Sequence, residues 1–288
     1  MLLSLLLFGN TALATVDEAC LGLARPDDYD EQTQADFLNN AVALASTLSP
    51  LHGPVPHAAG RGSVGLDLAV IPPLGCRHRM VLDWTKSEDT NKSPVLPRPR
   101  MTFAFNPIAG RLFPYGGVAF VPPVPVAGVR SVVASVEAGV GVYVGQHAQL
   151  GVRVHGTLQT VLGDVATSFE EDGPVVEDLY VATSQGVDVM LGWELERVTP
   201  YLALGYADVG TFFWIGDDAY VSNNLHPYLG PAASLGADAL LFDRLRLAGE
   251  LYAAPGGHTT PRDNIESLPG FGRYGHLYTA RLRIAYEL

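Results

Sequence analysis

Ionisable side chains recur at every second position along several stretches, and that spacing limits the chemistry they can do. In 131–144, Glu137 shares parity with Ser131, Ser135 and Tyr143, opposite Val132, Val136, Val140, Val142 and Val144. In 149–161, Arg153 and His155 lie with Gln149 and Gln159, opposite Leu150, Val152, Val154 and Leu158. Asp188 and Glu194 oppose Val187, Val189, Leu191, Trp193 and Leu195. Arg244, Arg246, Glu250 and Tyr252 oppose Leu245, Leu247 and Leu251. Arg281, Arg283 and Glu287 oppose Tyr278, Leu282, Ile284, Tyr286 and Leu288. A period of two places each set on one face of a strand. With Asp238, one face carries six acids (Glu137, Asp188, Glu194, Asp238, Glu250, Glu287) against Arg153, Arg244, Arg246, Arg281 and Arg283. Nearly balanced signs on a single enclosed face point to hydrogen-bonded ion pairs, because an unpaired buried charge is costly.

Signatures of catalysis are missing from the sequence. There is no Gly-x-Ser-x-Gly elbow, no His-Glu-x-x-His and no glycine-rich phosphate loop. The eight histidines are scattered without metal-ligand spacing. The link 163–182 carries Asp164, Glu170, Glu171, Asp172, Glu177 and Asp178, but not in the Asp-x-Asp-x-Asp-Gly spacing of a calcium loop. His276 is the one candidate acid–base group, placed by parity on the apolar face near a strand end. No catalytic residue, cofactor or metal is expected. A net charge of −12 argues against nucleic acid as a partner.

The elements that must carry these faces are mostly strands. No apolar run reaches the ~20 residues that a membrane-spanning helix needs. A membrane-spanning form of this chain must therefore be a closed barrel, which alone satisfies the backbone polar groups of strands in lipid. Leu2 to Phe8 form an apolar stretch and Ala12-Leu13-Ala14 has the form of a cleavage site, so 1–14 reads as an export signal without its usual positive start. Phe37, Leu38, Ala41, Val42, Ala45 and Leu48 recur at helical spacing before Pro50, which predicts an amphipathic helix over 30–48.

From Gly60 onward the period is two. Strands are expected near 62–71, 100–106, 115–121, 131–144, 149–161, 184–195, 199–213, 226–240, 244–254 and 275–288, with Asp208 falling on the apolar side. Met80 to Lys86 is a further strand candidate, and twelve strands are the alternative count. Tight links at 145–147, 196–198 and 242–243 alternate with long ones at 72–99, 163–182, 215–225 and 255–274. This rhythm, strand lengths beyond those of soluble sheets, and aromatics near strand ends favour a transmembrane antiparallel up-and-down barrel of about ten strands over a secreted sandwich. The prolines of Ile71-Pro72-Pro73 and Val121-Pro122-Pro123 are expected to end two strands.

The expected organisation is a signal at 1–14, a helical segment at 15–60 and a barrel at 61–288. Valine and leucine rows then face lipid, and the charged face fills a narrow lumen. The helix has two places to go: the periplasmic membrane surface, or the lumen as a plug. Cys20 and Cys76 discriminate between them. Cys76 follows an upward strand, so a disulfide with Cys20 requires the N-terminal segment to travel up the lumen, or strand 62–71 not to span. Two unrelated thiols are the alternative.

From about Ser131 to Leu288 the chain resembles the outer-membrane β-barrel superfamily, on its alternating strands, its turn rhythm and its final strand Tyr278 to Leu288. Typical members end in an aromatic residue; this chain ends Tyr286-Glu287-Leu288. The N-terminal helix and the strand ending Ile71-Pro72-Pro73 loosely resemble, in architecture alone, the plugged long-chain fatty-acid transporters. Ten-stranded outer-membrane proteases are of similar length, but no Asp-x-His pair is present to carry over. The resemblance implies the outer membrane of a Gram-negative bacterium, with outer-membrane lipid, lipopolysaccharide and the barrel-assembly machinery as partners. It also implies a non-catalytic barrel giving narrow or plugged passage to a small or apolar solute. The alternatives are a sealed surface-interaction barrel and, further off, a lipid-modifying enzyme around His276.

Overall fold

Long runs alternating β-branched with polar or glycine residues make long strands, since one face can be apolar throughout while the other is not. A computed structural model describes residues 18–27, 29, 34, 41–70, 73–81, 84, 86–87, 95–126, 129–163, 178–214, 222–254 and 277–288, the side chains of 81, 86, 124–126, 129, 163, 178, 213–214 and 222–228 aside. Ten strands follow in chain order: β1 (Gly62–Val70), β2 (Val95–Ala104), β3 (Leu112–Val126), β4 (Val129–Val144), β5 (Ala148–Gly163), β6 (Asp178–Trp193), β7 (Val198–Trp214), β8 (Ser222–Leu241), β9 (Leu245–Ala254) and β10 (Leu277–Glu287). Each pairs antiparallel with its neighbours, and β10 returns to β1 with Ser63 opposite Glu287, so the sheet closes into a barrel. The Met80–Lys86 stretch does not join it. Met80–Val81 and Lys86–Ser87 form a separate two-stranded ribbon, which leaves the barrel at ten strands rather than twelve.

The two faces are inverted relative to a water-soluble protein. Outward Val136 is 59% exposed and Leu251 65%, whereas inward Arg153 is 0% exposed and Arg281 1%. Water would penalise such an exterior; hydrocarbon suits it. The tight turns after β4, β6 and β8 lie at one end, together with the start of β1 and the end of β10. Gly145 takes a positive φ of 78° in the first of these turns. In the third, of residues 242–244, Phe242 and Asp243 both have positive φ and the Arg244 amide donates to Leu241 O at 3.2 Å. The opposite end, where β5, β7 and β9 finish, is the one expected to carry the long loops; the links 164–177, 215–221 and 255–276, the expected signal and His276 lie outside the described residues.

One seam of the barrel is short, and proline chemistry explains it. The β2–β3 ladder holds five residue pairs, from Arg100 opposite Ala119 to Ala104 opposite Tyr115, against eight to sixteen at every other seam. Amide groups of alternate residues point to opposite neighbours. Ala104 donates to Arg61 on the β1 side, whereas Phe105 donates to Pro114 on the β3 side. Odd-numbered positions of β2 therefore face β3, and two of them are Pro97 and Pro99, which have no N–H to give. The β1 ladder uses the even positions and continues to Val70 opposite Val95. On β3, Val121-Pro122-Pro123 does not end the strand as expected. The ladder to β4 shifts register between Val121 and Val124 and then resumes, a bulge that accommodates the missing donors.

The sidedness has a direct test. Val136→Arg, at mid-height on the outer face, is expected to destabilise the barrel in lipid vesicles by about 2–4 kcal/mol. Denaturant unfolding in vesicles measures it. A change within about 0.5 kcal/mol, as on a water-exposed surface, would contradict a lipid-facing β4.

Candidate functional site

The last carbonyls of a helix have no partner inside the helix, and those of the segment preceding β1 find theirs on the barrel wall. Residues 41–46 are helical and sit inside the barrel, with Ala43, Leu44, Ala45 and Leu48 buried. Arg281 on β10 donates to the Leu44 and Thr47 carbonyls at 3.1 and 2.6 Å. Arg98 on β2 donates to Ser46 O at 2.7 Å. Arg153 on β5 reaches Leu48 O at 2.6 Å, and Arg100 on β2 reaches Ser49 O and Pro50 O at 2.9 and 2.8 Å. Arg281 and Arg98 thus cap the helix end, where positive charge also complements the helix dipole, and Arg153 and Arg100 hold the chain just beyond it.

Two of these arginines are themselves held by acids, which aims them. Arg100 pairs with Asp67 at 3.1 Å and with Glu137; Arg153 pairs with Glu137 at 2.7 Å and Asp188 at 2.6 Å. Arg246 bridges Asp238 and Glu287, and Arg283 approaches Asp67. Glu250 accepts from the Leu51 amide at 3.0 Å and from the Tyr201 hydroxyl at 2.8 Å. Below the helix the chain stays gripped. His52 lies 3.5 Å from Glu137 and edge-on to Tyr115. His57 Nδ1 contacts Glu287 at 3.1 Å while Nε2 contacts Thr102 Oγ1 at 2.7 Å.

Room for this segment comes from inward-facing glycines. A Cβ at Gly141, Gly151 or Gly192 would run into Pro54. Glycine at these strand positions marks close backbone approach. Above the ionic layer the lumen turns apolar: Leu44 packs with Tyr180, Ala182, Val209, Tyr252 and Leu277, and Arg281 sits 4.1 Å from the Tyr252 ring centre. A cavity of about 200 Å³ opens at the short-turn end, between Val55–Ala58 and a wall that includes Gln149, Glu194 and Arg246.

The path of the segment is fixed at both ends. Cys20 and Cys76 form a disulfide with Cα atoms 5.4 Å apart. Arg79 donates to Cys20 Sγ, and the Trp84 indole donates to Leu23 O at 2.9 Å. Cys76 follows β1 at the long-loop end, so the segment starts there and descends the lumen to Gly62 at the short-turn end.

Among the residues singled out from sequence, Glu137, Arg153, Asp188, Asp238, Glu250, Arg281, Arg283 and Glu287 are buried and point inward. His155 faces inward 3.6 Å from Asp188, and Glu194 and Arg246 lie half-buried near the short-turn mouth. Arg244 is a correction. It lies in the turn after β8, exposed, and donates to the hydroxyl of outward-facing Tyr286. Its parity matches the inward row, but parity has meaning only within a strand. Sequence reasoning missed Asp67, Arg98, Arg100, His52 and His57. The signal for two of them was Pro97-Arg98-Pro99-Arg100, an alternation hidden because prolines argue against a strand. Among the described residues, no group of three or more His, Cys, Asp or Glu side chains converges as a metal site would.

Removing one member of the network leaves its partners charged and buried. Arg153→Ala is expected to cost about 3–5 kcal/mol in denaturant unfolding, well above a lipid-facing Val152→Ala control. The network also has a pH signature. Burial drives the His57 imidazole down from 6.5 to about 4; Glu287 pulls the other way, while Arg246 and His52 add to the lowering. The docked ring is therefore neutral, and its contribution is complete above about pH 6.5 and lost as pH falls towards 4. Thermal scans between pH 7 and pH 4.5 should show a loss of stability that is smaller in His57→Gln. An identical pH slope in that variant would remove His57 from the account.

No family model and no curated protein matches this chain. Among solved structures it is similar to the toluene transporter TbuX of Ralstonia pickettii, at 11% identity over 82% of this chain and 91% of that one, TM-score 0.35. It is similar to the translocator domain of the autotransporter NalP from Neisseria meningitidis, at 10% identity over 88% and 96%, TM-score 0.47. The attachment invasion locus protein Ail of Yersinia pestis matches at 8% identity over 80% and 100%, TM-score 0.23. This chain has the outer-membrane β-barrel fold, on the strength of its own closed ten-stranded sheet, its exposed apolar face and its buried charged one.

Proposed function

We propose that this barrel admits a small apolar solute from the outer side and releases it sideways into the bilayer, rather than passing ions or water straight through. The observation that carries this reading is the short β2–β3 seam, whose unpaired part lies above the layer of Arg100 and Glu137 that grips the plug. The direct route is blocked: Arg100, Arg153 and Arg281 are fully buried against residues 44–50. Above them, apolar Tyr180, Val209, Tyr252 and Leu277 line the lumen, a setting that rejects charge and accepts hydrocarbon. At the seam the strands lack the ladder that closes the wall elsewhere. An apolar molecule crosses such a gap without stripping water from itself.

On this reading the barrel resides in the outer membrane of a Gram-negative cell. Its exterior meets lipid and lipopolysaccharide, and assembly machinery inserts it there. A sealed surface barrel is the second reading, favoured by the Cys20–Cys76 bond that ties the plug at the outer mouth.

The test compares uptake of a small radiolabelled hydrocarbon by cells carrying the native chain or Pro97→Val/Pro99→Val, whose restored amides can zip the seam. At least about a tenfold fall in uptake is expected, with planar bilayers showing no steady ionic conductance for the native protein. Unchanged uptake in the double variant would sink lateral release, and uptake no higher than in cells lacking the protein would favour the sealed barrel.

A further inference from the structure

Opposite charges that face each other across a ladder, on the same side of the sheet, attract and stabilise it. In the lumen, Arg153 and Asp188 are such register partners and sit 2.6 Å apart. Asp67 and Arg283 are also register partners, 3.5 Å apart. Glu250 on β9 and Arg281 on β10 are directly opposite each other too, and both are buried. Their ends are nevertheless turned apart.

Every nitrogen of the Arg281 guanidinium donates elsewhere: Nη1 to Thr47 O at 2.6 Å, Nη2 to Leu44 O at 3.1 Å and Nε to the Thr279 hydroxyl at 3.0 Å. The group lies over the ring of Tyr252, one inward position nearer the long-loop end than Glu250. Glu250 is drawn the other way. Its Oε2 accepts from the Leu51 amide and from Tyr201, which reaches it across Gly236, the β8 residue between them in the register. A Cβ at Gly236 would run into the Tyr201 hydroxyl. Glu250 Oε1 has no hydrogen-bond partner. The plug therefore holds two register partners apart: two of its carbonyls take the base, and one of its amides takes the acid.

We propose that Glu250 and Arg281 form a two-position latch on the plug. With residues 44–51 seated, the two side chains grip its carbonyls and its amide. When those residues let go, the side chains turn to each other and close the pair that their register sets up. A lone charge left in the lumen would make release costly; a partner directly across the ladder offsets part of that cost. The partnerless Oε1 is the acceptor that the released guanidinium meets. Thr279 and Tyr201 belong to the wall and remain in both positions, so only the contacts to the plug are exchanged. Release is then a switch between two discrete arrangements rather than a gradual fraying. Arg153 has no such exchange, because Asp188 already holds it with the plug in place. The latch concerns the plug alone and holds whatever the barrel passes.

The test reads hydrogen exchange by mass spectrometry over residues 44–51 of the folded full chain in lipid vesicles, with sub-denaturing urea to promote local release. Glu250→Gln keeps an oxygen for Leu51 and Tyr201 and puts its amide where Oε1 has no partner, but it removes the charge that would meet Arg281. Exchange of residues 44–51 is expected to slow at least about fivefold in this variant, while strand amides keep their native rates. A carboxylate that served only to hold the seated plug would give the opposite sign. Asp188→Asn, which weakens the aim of Arg153 on Leu48 O, is expected to speed exchange. On an Arg281→Gln background, Glu250→Gln is expected to slow nothing. Faster or unchanged exchange in Glu250→Gln, slowing in Asp188→Asn as well, or slowing of the same size on the Arg281→Gln background would overturn the latch.

Discussion

A row of guanidinium groups holding backbone carbonyls is the interaction on which the rest of this molecule depends. Ion pairs across a barrel lumen usually have only one another to satisfy. Here Arg98, Arg100, Arg153 and Arg281 each spend at least one N–H on the chain that fills the barrel, between Leu44 and Pro50. Behind Arg100 and Arg153, the acids Asp67, Glu137 and Asp188 fix their direction. Hydrogen bonds from charged donors are worth about 1.5–3 kcal/mol each, and losing one here strands a charge away from water. The plug is therefore part of the fold of the lumen, and the wall cannot be considered separately from it.

That dependence orders the remaining features. A segment that descends the barrel needs space, and Gly141, Gly151 and Gly192 provide it around Pro54. It needs a fixed start at the long-loop end, and the Cys20–Cys76 bond provides that. With the centre filled, any weakness must lie in the wall, and Pro97 and Pro99 place one between β2 and β3. The polar network and the apolar layer above it both hold the chain, the first through carbonyls from Leu44 to Pro50 and the second through the Leu44 side chain.

Much of this was readable in the sequence wherever a strict period of two survived. Strands β4 to β6, β9 and β10 and their inward charges follow from alternation, because shifting register by one residue would put every valine in the lumen; β7 and β8 follow it less cleanly, with Asp208 on the apolar side. Where other chemistry interrupted the period, the reading failed for identifiable reasons. Prolines hid the upper half of β2, and with it Arg98, and left Arg100 as the first residue of the expected strand. Pro122 and Pro123 looked like a strand end because a bulge that carries the strand onward depends on its neighbour's register. Arg244 kept the parity of its row but lay one residue outside the strand. His52 and His57 sit in a segment with no periodicity, so only the surrounding wall reveals what they touch. The disulfide stood as one of two options, since cysteine positions alone do not say which way the N-terminal segment runs.

Hydrogen exchange read by mass spectrometry on the folded barrel tests the central claim most directly, through the amides of residues 43–58. The expected result is protection comparable to that of β4 and β5, lost on substituting Arg100 and Arg153 together by leucine while barrel strands stay protected. Exchange of residues 43–58 at the rate of an open chain in the native protein would contradict a plug held by the arginines of the wall.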